Sequence, residues 1–312
     1  MEKQIKIIDP YKNALNTYIW MPIKRKKPKA VVQIIHGAGE HAGRYKEFAE
    51  YLNTLGFVVI GNDHLGHGKT ADSDEYIHFS DEMGIQKVYD GIKIVRDYIE
   101  EHYPSLPVIM FGHSMGSFIG RYTMLYDHKR YDQAIFTGTG LFDITKVYLG
   151  IGIYKIAVKL KGNRHVSPKL TDMFTDGAIK SMKKNGIINK RVEWLTGDAA
   201  IRRAFLEDPL CGKPFTIGAQ LDLLKLFPKI QDKKKIKAGA SSIPIFFISG
   251  ELDALGEYGI GVKKLYKIYY DCGYTNVKFT ILNNCRHEVI NDIEREFIYK
   301  MIGDWITTNL NR

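Results

Sequence analysis

Gly112-His113-Ser114-Met115-Gly116 sets a serine between two glycines, directly after the apolar run Pro107–Phe111 and at the start of a helical face made by Met115, Phe118, Ile119 and Tyr122. A Gly-x-Ser-x-Gly pattern alone arises often by chance. Between a buried strand and a helix it describes a sharp turn that leaves no room for side chains beside the serine and lifts its hydroxyl above the strand end. A serine hydroxyl attacks an acyl carbon only if a base removes its proton and a third group orients the base. In a strand-turn-helix setting the partners are sought in chain order, first an acid and then a histidine.

Two carboxylates, Glu251 and Asp253, follow the apolar run Ile243–Ser249 in Gly250-Glu251-Leu252-Asp253, and Asp253 lies 139 residues after Ser114. Either would sit just past the end of a buried strand, at the same rim as the serine. His287 comes 34 residues after Asp253, in the loop that follows the run Val277–Leu282. Of the ten histidines, His36, His41, His64, His67 and His113 also lie near strand ends but precede both acids. His128 and His165 lie between serine and acid, outside any strand-end loop, so His287 is the expected base. Acyl transfer also needs donors for the developing oxyanion, each worth about 10²–10³ in rate. The backbone amide of Met115 is one; the second is expected from the small-residue loop His36-Gly37-Ala38-Gly39-Glu40, at Ala38.

The elements that must hold these residues are legible as two alternating patterns. Ala30–Ile35, Phe57–Ile60, Pro107–Phe111, Gln133–Thr137 and Ile243–Ser249 are almost continuously apolar, as strands covered on both faces should be. Tyr45/Phe48/Ala49/Leu52, Ile85/Val88/Tyr89/Ile92 and Leu265/Ile268/Tyr269/Cys272 repeat the i, i+3, i+4, i+7 spacing of a helix with one buried face, and Gly56 is placed to end the first of them. Strands alternating with such helices imply right-handed crossovers and a mostly parallel sheet covered on both sides. Gln4–Ile8 and Ala14–Trp20, with no helix between them, predict an antiparallel hairpin at one edge.

The alternation stops after Gly140 and resumes near Ile243. Helical patterns fill the gap: Ile144–Leu160, Asp176–Asn185, Lys190–Phe205, and Gln220–Phe227 stopped by Pro228. Residues 141–238 also hold 20 Lys/Arg against 9 Asp/Glu, whereas the rest of the chain holds 25 against 26. The formal net charge of +10 over 312 residues therefore belongs to one segment. The expected organisation is a core of 1–140 and 239–312 with a helical cap, 141–238, over the strand ends where open α/β sheets place their sites.

HGAGEHAGRY (36–45), NDHLGHGKT (62–70), GHSMG (112–116), SGELD (249–253) and RHE (286–288) together resemble the monoacylglycerol lipase and lysophospholipase branch of the α/β-hydrolase superfamily. The resemblance covers the core and extends more loosely through the cap. It implies Ser114 as nucleophile, Asp253 rather than Glu251 as acid, His287 as base, and Ala38 and Met115 as oxyanion donors. It gives the Asp63–Gly68 turn a structural role beneath the site. Ser117 replaces a glycine common in relatives, and the cap is unusually rich in lysine. Dehalogenases and epoxide hydrolases of this fold carry a carboxylate where Ser114 stands, and the Gly-Gly-Pro-Gly loop of proline iminopeptidase-like members is absent.

The expected activity is cofactor-independent hydrolysis of a small acyl ester, monoacylglycerol first and lysophospholipid second; a broad carboxylesterase for small or aromatic esters is the alternative, and a non-catalytic ligand-binding protein a remote one. His64 and His67 sit in a glycine turn without a third ligand, so no metal site is expected, and no dinucleotide or P-loop signature is present. The charge distribution disfavours a nucleic-acid partner. Residues 148–160 are apolar nearly all round except for Lys155 and Lys159, as in a buried cap helix or one that meets a membrane surface. Lys24–Lys29 and Lys233–Lys235 read as solvated loops, and Cys211 has no expected catalytic role. Three scattered cysteines make no disulfide framework, and the first 20 residues lack a signal-peptide core, so a cytoplasmic location is expected. Oligomeric state is left open.

Overall fold

The computed structural model describes residues 1–22, 27–167, 170 and 173–310. Eight strands form one sheet: β1 (Glu2–Ile8), β2 (Ala14–Trp20), β3 (Ala30–Ile35), β4 (Phe57–Asn62), β5 (Val108–His113), β6 (Gln133–Thr137), β7 (Ile245–Gly250) and β8 (Val277–Leu282), in the order β1-β2-β4-β3-β5-β6-β7-β8. β1 pairs antiparallel with β2 and β2 with β4; every other pair is parallel. The hairpin at the edge is the one the N-terminal runs predict.

Alternation along each strand builds two cores. On β3, Val31 and Ile35 point to the side of α2 (Gly84–His102), α3 (Met115–Asp127) and α9 (Ile260–Asp271). Ala30, Val32 and Ile34 point to the other, against α1 (Lys46–Thr54) and α10 (Arg295–Leu310). All six residues of β3 are buried, which is why the sequence there has no polar alternation beyond Gln33. Gln33 is accommodated by its own bonds, accepting from the Tyr131 hydroxyl and donating to the Ile92 carbonyl.

Between β6 and β7 the chain leaves the sheet for α4 (Ile144–Lys161), α5 (Met173–Lys184), α6 (Ala199–Glu207), α7 (Ile217–Ile230) and α8 (Lys233–Ala238). Three expectations need correcting here. Lys190–Phe205 is not one helix: a short 3₁₀ turn at Arg191–Trp194 ends before Gly197, and Asp198 restarts the chain as the N-cap of α6 by accepting from the amides of Ala200 and Ile201. Pro228 does not stop α7, which runs through it to Ile230, anchored by the burial of Phe227 before the proline and Ile230 after it. Lys233–Lys235 form the first turn of α8 rather than a loop, with Asp232 as N-cap. Of the basic run Lys24–Lys29, Lys24, Arg25 and Lys26 lie outside the described residues.

α4 is buried along one side only, where Val147, Gly150 and Tyr154 pack inward and Gly150 lets the helix approach Leu224 of α7. Tyr148, Leu149, Ile153, Ile156 and Leu160 are 42–77% exposed. Arg121 of α3, fully buried, donates to the carbonyls of Gly140, where the excursion begins, and of Ile230 at the end of α7, and so ties both to α3.

Candidate active site

Ser114 follows β5 with φ 50° and ψ −121°, a conformation that costs an L-residue energy and is held by its surroundings. Its amide donates to the Thr137 carbonyl on β6 at 2.9 Å. The two flanking glycines are required by backbone on either side. A Cβ on Gly112 would stand 2.7 Å from the Gly116 carbonyl oxygen, and one on Gly116 would stand 1.9 Å from that of Ile35 on β3. The turn therefore packs backbone on backbone, and the hydroxyl is what it presents.

The structure brings the three residues singled out from the sequence into one line. Asp253, after β7, and His287, after β8, are completely or nearly buried. His287 Nδ1 lies 3.0 Å from Asp253 Oδ2, and Nε2 lies 2.8 Å from Ser114 Oγ. A carboxylate only accepts, so Nδ1 carries the proton and Nε2 is left to accept from the serine. The other Asp253 oxygen accepts from the Leu255 amide at 2.9 Å. Glu251, the rival carboxylate, is exposed and accepts from the Asn284 amide instead. Burial disfavours a charge on His287, but the Asp253 carboxylate and its hydrogen bond outweigh it, and Glu288 and Glu40 add to the effect, so the imidazole is held above its ordinary pKa.

Ala38 and Met115 both line the cavity above Ser114, and neither backbone amide has an acceptor among the described residues. The loop that carries Ala38 is fixed by polar groups on both sides. The Gly37 amide donates to Glu40 Oε1 at 2.6 Å. His36 Nε2 accepts the His64 amide at 2.9 Å, so its proton is on Nδ1, which donates to the Gly37 carbonyl at 2.8 Å. Beneath it His36 stacks on His64 and His67 meets both edge-on, His64 and His67 being carried by the turn Asp63–Gly68.

A buried ion cluster joins that loop to the histidine loop, and sequence reading missed it. Arg44 donates to both oxygens of Glu288 at 2.9 and 2.7 Å and also pairs with Glu40. Burial pushes the Glu288 carboxyl up, but the Arg44 guanidinium more than reverses this and holds it down at about 2; Glu40, where burial dominates, is raised. The i, i+4 spacing of Glu40 and Arg44 was a local signal; Glu288, 244 residues from Arg44, had none. Trp194 resembles a cap feature of bacterial members of the family, but its contact was missed: the indole stacks on the His287 ring.

The cavity over Ser114 measures about 670 Å³. Its lining is mostly apolar: Phe118 comes from α3 and Leu255 from the loop after β7, and Phe205, Leu206, Phe215, Leu223 and Phe227 come from the excursion. Arg191 and Lys213 also reach it, and they pair with Asp176 and Asp74. One group of metal-ligating atoms close together was found among the described residues, His41, Asp208 and Cys211. It links the loop after β3 to the turn after α6, with His41 Nε2 2.8 Å from Asp208 Oδ2. Burial pushes the Cys211 thiol up, away from the thiolate a metal needs.

This sheet, with a strained serine after β5, an aspartate after β7 and a histidine after β8, is that of an α/β hydrolase. The sequence profile of the family described as serine aminopeptidase, S33, matches residues 26–294, and the chain belongs to that family. A monoacylglycerol lipase of Mycolicibacterium smegmatis is 23% identical over 296 residues, covering 94% of this chain and 92% of that protein. The human monoglyceride lipase is 38% identical over 92 residues, 30% of this chain and 29% of that protein. A monoglyceride lipase homolog of monkeypox virus is 42% identical over 117 residues, 34% of this chain and 38% of that protein, so these two matches span well under half of the relatives' lengths. Among solved structures, a thermostable carboxyl esterase from Bacillus coagulans in complex with glycerol superposes with a TM-score of 0.88 at 25% identity, covering 99% of both chains. The monoacylglycerol lipase of Paleococcus ferrophilus, at 17% identity and a TM-score of 0.72 over 95% of this chain and 99% of that one, shares the fold. No helix among the described residues is long and apolar enough to cross a membrane.

Proposed function

We propose that this protein is a serine carboxylester hydrolase that cleaves single-acyl lipid esters, monoacylglycerol and also lysophospholipid, through an acyl-enzyme. The observation that carries the reading is a hydrogen-bonded Ser114–His287–Asp253 relay opening into a large apolar cavity. His287 Nε2 takes the hydroxyl proton as Ser114 Oγ bonds to the ester carbon. The amides of Ala38 and Met115 hold the oxyanion, and Asp253 stabilises the imidazolium. The imidazolium then returns the proton to the leaving alcohol as the C–O bond breaks. Water, deprotonated by the same histidine, attacks the acyl-enzyme, releases the fatty acid and restores the serine.

Residues 141–238 act as the cap of this site, since the excursion supplies much of the cavity lining. Its exposed α4 face, flanked by Lys155 and Lys159, suits peripheral contact with an anionic membrane surface where such substrates reside. The family description names an aminopeptidase, and such an enzyme needs a free carboxylate in the cavity for the substrate ammonium. Glu40 and Glu288 are there, but both are engaged by Arg44, which favours the ester reading.

The test is a chain-length series of monoacylglycerols and p-nitrophenyl esters, with aminoacyl p-nitroanilides alongside. kcat/KM should rise with each methylene until the cavity is full and should be negligible on the anilides. A flat series would favour a broad esterase for small or aromatic esters. Ser114→Ala should lower kcat by about 10⁴–10⁶ and abolish fluorophosphonate labelling; survival of both would overturn the mechanism.

A further inference from the structure

Trp194 belongs to the excursion between β6 and β7, yet its indole lies on the imidazole of His287, with ring centroids 4.4 Å apart and planes inclined by 24°. Backbone fixes the two rings against each other. The His287 amide donates to the Trp194 carbonyl at 3.4 Å, and the Glu288 amide to that of Leu195 at 2.7 Å. The Arg286 guanidinium, one residue before the histidine, donates to the carbonyls of Glu193 at 2.7 Å and of Thr196 and Ile187 at 3.2 Å. Thr196 Oγ1 donates to the Asn291 carbonyl at 2.8 Å, and the Gly197 amide to Asp292 Oδ1 at 2.8 Å. The chain on both sides of Trp194 is thus bonded to the chain on both sides of His287.

The face of an indole carries negative potential and attracts a cation lying over it. Neutral imidazole gains little from that; imidazolium gains more. Under the mechanism proposed above, His287 becomes imidazolium as Ser114 gives up its proton, so the indole would act more strongly on the transition state than on the resting enzyme. Its second effect is geometric. The two hydrogen bonds of His287 fix the ring at two points but leave it free to tilt about the line joining Asp253 and Ser114, and a flat partner on one face removes that freedom.

We infer that Trp194 is a positioning residue for the catalytic base, holding the His287 ring in the plane of the relay and stabilising its protonated form. This rests on the triad reading. A cap residue therefore sets the basicity of a core residue, and the His287 loop works only with this part of the cap in place. The sign of one shift separates this role from simple covering. An indole that only shields the ring from water keeps imidazolium poorly solvated, so removing it would raise the histidine pKa. An indole that stabilises the cation has the opposite effect.

The experiment compares wild type, Trp194→Phe and Trp194→Leu on a soluble short-chain p-nitrophenyl ester, with kcat and KM measured across the pH range. For Trp194→Leu, kcat should fall about 2- to 30-fold with KM nearly unchanged, and the acid limb of kcat/KM should move to lower pH by up to about one unit. Trp194→Phe, which keeps an aromatic face, should fall between. The difference in intrinsic fluorescence between wild type and Trp194→Phe should titrate with the same pKa, because a protonated imidazole quenches a stacked indole. An acid limb that stays in place or moves up, a loss confined to KM, or a fluorescence difference indifferent to pH would overturn the proposal. If Trp194→Leu does not fold, the Phe variant and the fluorescence titration still decide it. Failure of the triad reading looks different: activity and fluorophosphonate labelling would then persist in Ser114→Ala, whatever the Trp194 variants do.

Discussion

Acidification should unfold this protein through its buried histidines. His36 stacks on His64 with centroids 4.0 Å apart and meets His67 at 5.1 Å, and all three are buried. Neither nitrogen of the His64 ring has a partner among the described residues. Burial, reinforced by the neighbouring His67, pushes His64 down to about 3; burial likewise takes His67 to about 4 and His113, beside His287, to about 3, and holds His36 well below its ordinary value. In the unfolded chain each would titrate at about 6.5. Below that pH the unfolded state binds protons that the folded state refuses, so stability falls as pH falls, until the depressed folded values are reached. Each histidine costs about 1.4 kcal/mol per pH unit, hence about 2 kcal/mol at pH 5, and the four of them about 8 kcal/mol. A typical domain has only about 5–15 kcal/mol in total. His287, raised in the folded state, makes a contribution that is complete below the unfolded pKa and is lost only as pH rises, so it does not offset the acid slope. Urea unfolding from about pH 8 to 5 at constant ionic strength should give a steep loss, with about three to four protons taken up on unfolding near pH 5.5. His64→Phe, which keeps a ring in the stack, should remove about a quarter of the slope. Stability flat across this range, or a slope untouched in His64→Phe, would refute the reasoning.

Gly116→Ala should abolish soluble folded protein, since the new Cβ would meet the Ile35 carbonyl oxygen on β3 at 1.9 Å; a folded, active variant by circular dichroism and esterase assay would contradict the packing of the elbow. Asp253→Asn should keep the fold and lower kcat by about 10⁴, because the amide can donate to His287 and favour the wrong tautomer. The paired change Leu149→Glu and Ile156→Glu on the exposed face of α4 should weaken sedimentation with anionic vesicles while leaving hydrolysis of a soluble short-chain ester unchanged. Binding of the unaltered protein to those vesicles should itself fall as salt rises.

What could be read in the amino-acid sequence is what local chemistry dictates. Ala30–Ile35 is buried on both faces and is therefore apolar at every position but one, and that exception, Gln33, meets its own buried partners. The serine turn needs glycines at 112 and 116 because backbone stands where side chains would go, so Ser114 was visible from its neighbours. His287 was reached through chain order and strand ends, which left Asp253 beside Glu251 until the family resemblance chose between them; the hydrogen bonds of the relay, spanning 34 and 173 residues, are consequences of topology rather than of any pattern. Lys190–Phe205 misled because apolar spacing carries across Gly197, while the Asp198 cap that breaks it is a single residue. The stack of Trp194 on His287, the junction of Glu288 with Arg44 and the meeting of His41 with Asp208 and Cys211 had no sequence signal, since each joins segments far apart in the chain.

The bonds between residues 187–198 and 286–295 bear on how this enzyme could be re-engineered. Numbered along the chain, 187–198 is part of the excursion; counted by its hydrogen bonds, it belongs with the histidine loop. A chimera that imported the whole of 141–238 from a relative to transplant its acyl-chain preference would also import a foreign partner for Arg286, His287 and Glu288. The strip 187–198 would have to stay native as a splint, and so would the turn 208–216, which is bonded to Gly39, His41, Ile77 and His78.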